Sequence, residues 1–187
     1  MNTGILGHAE IAELLDTGVV EGGQYSNINP ASLNVTLGDT FLAEMRHPHN
    51  HAGFHHICDF SKRAEHGMTP QLSTFKGEII LDPRAFCLAS LKEKLNLPPD
   101  ICCDVMLRSS AARMGIQHLL AGWGDPGYSG HLTLELKNEL RYHAIRLREG
   151  DCIVQLRFHR IKELADVHTY AAKSGKYSVD VGPQGAR

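Results

Sequence analysis

Short apolar runs recur about every ten residues along most of this chain, each bounded by Gly, Pro, Asn or Asp, and that rhythm admits few folds. The runs are GEIILD (77–82), AFCLASL (85–91), ICCDVML (101–107), HLTLELKN (131–138), AIRLREGD (144–151) and CIVQLRFHRI (152–161). An earlier one, in INPASLNVTLGDTFLAEM (28–45), turns at Asn29-Pro30, alternates Leu33, Val35 and Leu37, and closes at Gly38-Asp39. Many short strands with turns between them predict a sandwich, jelly roll or barrel. Only HAEIAELLDTG (8–18) has helical spacing, through Ile11, Leu14 and Leu15, with Gly18 as the stop.

Within HLTLELKN, period two places Leu132, Leu134 and Leu136 on one face and Thr133, Glu135 and Lys137 on the other. A carboxylate in the middle of a strand otherwise built for burial needs a reason. At 187 residues the chain is sized for one domain, residues 1–187. A formal net charge of −2 lacks the basic excess of a nucleic-acid binder. Neither an export leader nor an apolar run approaching ~20 residues is present, which predicts a cytoplasmic protein without a membrane partner. Five cysteines without a framework spacing read as thiols in a reducing compartment.

Two stretches break the rhythm. Residues 46–75 form a polar, His-rich loop or insertion, and the tail 173–187 is Gly-rich and lacks an apolar face. Two metal patterns can be weighed here. His8-Ala9-Glu10 has the H-x-E of zinc deaminases, but those need a downstream P-C-x-x-C, and this chain has no C-x-x-C. His47, His49, His51, His55, His56, Cys58 and Asp59 hold enough donors for zinc, at spacings too irregular to fix a tetrahedron. Neither predicts a metal site, and no zinc is expected.

The chemistry concentrates between Leu107 and Asn138, in LRSSAARMGIQHLLAGWGDPGYSGHLTLELKN. Arg108, Ser109 and Ser110 offer donors suited to phosphate oxygens, and Asp125-Pro126-Gly127 is a turn. Each is weak alone. In this order and spacing they resemble the dCTP deaminase branch of the dUTPase superfamily. Its signature is R-S-S-x-x-R-x-G followed by A-G-x-I-D-P-G-[FWY]-x-G-x-[IL]-x-L-E-[LF]-x-N. INPASLNVTLGDTF is similar to the branch's N-terminal I-Q-P-A-S segment, LDPRAFCLASLKEKLNLPPDI to the strands before R-S-S, Gln155 to its G-Q-L, and GKYSVDVGP to its terminal S-K-Y-Q-G-Q-x-G-P.

The resemblance implies a mainly β, distorted jelly-roll or β-barrel fold of the β-clip type with a short N-terminal helix. It also implies a homotrimer with active sites at subunit interfaces and zinc-independent hydrolysis of dCTP to dUTP and ammonia. On it, Glu135 is the proton shuttle, Arg113 its cationic partner, and Ser109 with the Ala121 carbonyl holds the attacking water. Asp125 takes the sugar 3′-hydroxyl and Tyr128 packs on the deoxyribose, while backbone groups at Leu132 and Thr133 read the base edge. Arg108, Ser110, Gln155, Tyr170, Lys176 and Tyr177 face a triphosphate that carries Mg²⁺, and the tail becomes a lid that closes over the nucleotide.

The chain departs from the pattern around the base and the phosphates. Leu120 stands where Thr is common, the Gly115–Ala121 loop is one residue short, Gly124 replaces Ile, and Asp180 replaces a phosphate-contacting Gln. Feedback by dTTP is therefore open, and dCMP or a 5-methylated dCTP are alternative substrates. A dUTPase or a bifunctional enzyme is the nearest rival, although a dUTPase normally has an apolar residue at position 135. A catalytically silent nucleotide-binding module would be expected to lack Glu135, Arg113 or Ser109, and all three are present.

Overall fold

A computed structural model of the chain describes residues 3–45, 55–162, 168–173 and 181–186. His47, His49, His51, Lys176, Tyr177 and Asp180 lie outside them. The strands, in chain order, are β1 (Gly4–Ile5), β2 (Val20–Glu21), β3 (Leu33–Val35), β4 (Leu37–Glu44), β5 (Leu72–Lys76), β6 (Glu78–Leu81), β7 (Phe86–Leu91) and β8 (Lys94–Asn96). After these come β9 (Ile101–Leu107), β10 (Ile116–Gln117), β11 (Trp123–Gly124), β12 (Ser129–Gly130), β13 (Thr133–Asn138), β14 (Ile145–Arg148) and β15 (Val154–Arg160). Helices are short: α1 (His8–Asp16), α2 (Ser109–Arg113) and α3 (Tyr170–Lys173). None is long and apolar enough to cross a membrane.

Two five-stranded sheets carry the architecture. One runs β1-β15-β9-β11 with β3 also on β15, and the other runs β10-β13-β7-β4-β5. Smaller sheets, β12-β8-β2 and β14-β6, complete it, and none of the four closes into a barrel among the described residues. Every pairing is antiparallel, as short strands joined by tight turns require.

The alternation in β13 is realised: Leu132, Leu134 and Leu136 are buried in the core, and Thr133, Glu135 and Lys137 stay half-buried on the opposite face. β13 pairs with β7 so that Glu135 lies directly opposite Leu88 and Thr133 opposite Ser90. Truncating a core residue such as Leu136 or Phe158, both 0% exposed, would cost roughly 2–5 kcal/mol.

Two expectations change. Gly38-Asp39 does not end a strand, because β4 continues through it with a register shift against β7. A Cβ on Gly38 would sit 3.0 Å from the Ser90 hydroxyl, so this glycine serves close approach between strands. The His-rich segment is also not all loop. Its end forms β5, an edge strand whose Leu72 to Lys76 pair with Glu44 to Thr40.

Asn138 closes β13 from the inside. Fully buried, its Nδ2 shares its two N–H groups among the carbonyls of Leu81 (2.9 Å), Asp82 (3.2 Å) and His143 (2.9 Å), and its Oδ1 accepts from the Leu140 amide (2.9 Å). Each buried polar group left unpaired costs about 1–3 kcal/mol, so this side chain fixes the end of the strand that carries Glu135.

Candidate active site

One cavity of about 440 Å³ opens beside β13, and seven of the residues singled out from sequence line it: Ala121, Asp125, Tyr128, Leu132, Thr133, Glu135 and Tyr170. Pro70, Leu72, Phe86 and Leu88 make its apolar wall. They follow from sheet order, since Phe86 and Leu88 alternate onto the Glu135 face of β7 and Leu72 opens β5. Apolar surroundings strip water from the Glu135 carboxyl, and this burial pushes its pKa above the usual glutamate range. Only a hydrogen bond with its own backbone opposes that shift. Among the described residues no cation is paired with it.

Asp125-Pro126-Gly127-Tyr128 forms the expected turn, closed by the Tyr128 amide on the Asp125 carbonyl at 3.0 Å. Gly127 has φ 81°, the left-handed conformation required at its third position. A Cβ there would also meet the Thr169 Cβ at 2.7 Å. The turn thereby admits α3, whose Tyr170 amide donates to the Pro126 carbonyl at 2.9 Å. Tyr170 then lies against the buried Tyr128 with ring centroids 5.6 Å apart.

Ala121 reaches the cavity through an unusual path. Leu119 and Leu120 both adopt positive φ, 54° and 60°, a conformation that costs non-glycine residues roughly 1–3 kcal/mol each. The absence of Ile at position 124 has a packing reason: a Cβ on Gly124 would lie 2.7 Å from Cys103 Sγ and 3.1 Å from Leu97 Cδ1. Cys103 and Leu97 fill the space a larger side chain would need. Buried thiols of this kind are inert, and burial pushes Cys87 up to about 12.

A second group of expected residues does not line this cavity: Arg108, Ser109, Ser110, Arg113 and Gln155. Ser109 begins α2 just past the end of β9, whereas Asp125 follows Gly124, which pairs with Cys103 near that strand's start. R-S-S-x-x-R and D-P-G are therefore displaced along β9. Arg108 is held by Nη1 on the Cys152 carbonyl at 2.9 Å. Gln155 accepts from the Ser32 hydroxyl at 2.8 Å, and Ser32 in turn accepts from Asn29 Nδ2 at 3.1 Å. These contacts account for the INPAS segment, which orients Gln155 through a side-chain chain.

Sequence reasoning missed Trp123, Gln184, Gly185 and Ala186, which also line the cavity. The Gln184 amide donates to Thr133 Oγ1 at 3.2 Å, so part of the tail lies on the Glu135 face of β13. Of the metal patterns, His8 and Glu10 belong to the start of α1, where Glu10 Oε2 accepts from the Gly7 amide at 3.0 Å. Among the described residues no group of three or more His, Cys, Asp or Glu is arranged to hold a metal ion.

The fold is similar to that of a solved protein. The crystal structure of 2′-deoxycytidine 5′-triphosphate deaminase from Agrobacterium tumefaciens superposes with a TM-score of 0.64 at 23% identity, covering 86% of this chain and 49% of that one. The sequence matches the family described as dCTP deaminase-like over residues 5–161. It is 34% identical to the dCTP deaminase of Natronomonas pharaonis, over 98% of this chain and 94% of that protein. It is 33% identical to the dUMP-forming dCTP deaminase of Nanoarchaeum equitans, over 95% and 94%. The chain belongs to the dCTP deaminase-like family.

Proposed function

We propose that this chain deaminates a deoxycytidine nucleotide, converting dCTP and water to dUTP and ammonia. The observation that carries this reading is the half-buried Glu135 carboxyl, set in an apolar cavity beside the D-P-G turn with its pKa raised by burial. Such a group can take a proton from water, deliver it to cytosine N3 and later protonate the departing amine. Hydroxide adds to C4, the C4–N bond breaks, and a carbonyl replaces the amine.

Ser109 Oγ and the Ala121 carbonyl hold the water, and Arg113 stabilises the ionised Glu135. Asp125 accepts the 3′-hydroxyl, Tyr128 lies against the deoxyribose, and backbone groups at Leu132 and Thr133 read the base. Arg108, Ser110, Gln155, Tyr170, Lys176 and Tyr177 receive the phosphates, with Mg²⁺ carried on the triphosphate. Residues 1–187 act as one domain whose tail, 173–187, closes the site. Since Arg108, Ser109, Ser110, Arg113 and Gln155 lie away from the cavity of their own chain, a second copy supplies them in a homotrimer.

The test is incubation of the protein separately with dCTP, dCMP, dUTP and 5-methyl-dCTP, following ammonia and pyrophosphate. Ammonia from dCTP is expected, and none from any cytosine nucleotide overturns the reading. A second reading, deamination followed by release of pyrophosphate to give dUMP, is favoured by the dUMP-forming relatives, such as that of Nanoarchaeum equitans. Pyrophosphate in step with ammonia decides for it.

The pH profile carries a further expectation. Burial raises the Glu135 pKa, and the Arg113 guanidinium supplied by the second copy lowers it when the two meet. Arg113→Ala therefore moves the acidic limb of kcat/KM to higher pH than in wild type, measured on the residual activity. A limb that stays in place removes Arg113 from contact with the carboxylate.

A further inference from the structure

Asp125 does not enter the cavity alone. Its Oδ1 accepts a hydrogen bond from Trp123 Nε1 at 2.8 Å, and both residues line the cavity. The pairing follows from the backbone. Residues two apart on an extended segment share a face, and the residues flanking Trp123 are glycines pressed against β9. A Cβ on Gly122 would lie 2.5 Å from the Val105 carbonyl, and one on Gly124 would lie 2.7 Å from Cys103 Sγ. Trp123 is thus held flat on β9, opposite Asp104, with its indole aimed at the residue two positions on.

This contact contributes little to stability. Trp123 is 50% exposed and Asp125 is exposed too, and a hydrogen bond between exposed groups competes with water. Its consequence is orientation. A carboxylate on a turn can rotate about its terminal torsion, which is broad and two-fold. The indole N–H occupies one oxygen and sets the plane, leaving Oδ2 to accept from a ligand.

We propose that Trp123 is a positioning residue for sugar recognition: it fixes the Asp125 carboxylate so that one oxygen accepts the 3′-hydroxyl of a deoxyribonucleotide. The inference rests on the assignment of that nucleotide to this cavity. It makes the tryptophan matter for substrates bearing a 3′-hydroxyl and leaves it nearly silent for those that lack one.

The test measures nucleotide affinity by calorimetry in a Glu135→Gln background, which removes turnover, with dCTP and with 2′,3′-dideoxy-CTP. Adding Trp123→Phe keeps an aromatic ring and removes the donor. Binding of dCTP is expected to weaken about fivefold to tenfold, the worth of one oriented hydrogen bond, while dideoxy-CTP affinity changes by less than about twofold. Equal losses for the two nucleotides, or no loss for dCTP, overturn the proposal. Should the phenylalanine variant not fold, the indole N–H resonance of the chain's one tryptophan gives a second measurement. It is expected to move upfield when Asp125→Ala is added to the Glu135→Gln protein, and an unmoved resonance overturns the proposal. If the protein with Trp123 intact neither binds dCTP nor, with Glu135 restored, releases ammonia from it, the nucleotide assignment has failed instead.

Discussion

Glu135→Gln is expected to lower ammonia release from dCTP by about 10²–10⁴-fold, the usual worth of a positioned acid/base group, while the protein folds and binds nucleotide. The substitution keeps the shape of the side chain and its place opposite Leu88. It leaves Leu132, Leu134 and Leu136, on the other face of β13, untouched in the core. What it removes is the ability to exchange a proton, since an amide neither takes one from water nor returns one to N3. Stability should fall little at neutral pH. A carboxyl whose pKa is higher in the folded than in the unfolded state favours folding most at low pH, and that contribution is lost as pH rises through the folded value. Burial shifts Glu135 in this sense, so burial alone gives the neutral Gln no penalty at neutral pH, and the cost left is that of the pairing with Arg113. An ammonia assay beside a thermal melt checks both halves. Full turnover would remove Glu135 from the chemistry, and a collapsed melt would make it structural.

Much of this was legible because strands announce themselves by alternation. The leucines of β13, the runs that became β7, β9 and β15, and the helix beginning at His8 lie where their patterns place them. D-P-G forms its turn because Pro126 and Gly127 leave the backbone few choices. What stayed hidden depends on partners distant in sequence. Gly38 resembles a turn residue, yet it is glycine because Ser90 of β7 lies against it. Leu72 to Lys76 have no period of their own and become a strand by pairing with β4. Trp123 carries no signal as a site residue, because its role depends on two glycines flattened against β9. Asn138 closes the family signature as one more polar letter, and only in the folded chain does it collect three carbonyls. The signature itself, continuous in sequence, divides along β9 in space. Its Glu135 half lines the cavity and its R-S-S-x-x-R half does not.

That division sets the second large effect. Glu135→Gln and Arg113→Ala should each be nearly inactive as purified proteins, yet co-expression of the two, with separable tags, is expected to restore activity. If a site takes Glu135 from one chain and Arg113 from the next around a three-fold ring, every mixed trimer contains one interface where an intact Glu135 meets an intact Arg113. Random assortment of equal amounts makes about three quarters of trimers mixed, with one site in three repaired, or about a quarter of wild-type turnover. Recovery cannot arise if both residues serve the cavity of their own chain, because each subunit would then still carry one defect. The geometry favours recovery. Arg113 ends α2, which is joined to β13 through β10 beside Asn138, whereas Glu135 faces Leu88 and the cavity farther along that strand. Fractions enriched in mixed trimers by tandem tag purification should carry about one third of wild-type activity, and fractions of either parent should carry almost none. Mixed trimers as inactive as their parents would place both residues in one subunit and require α2 to move toward β13 when nucleotide binds.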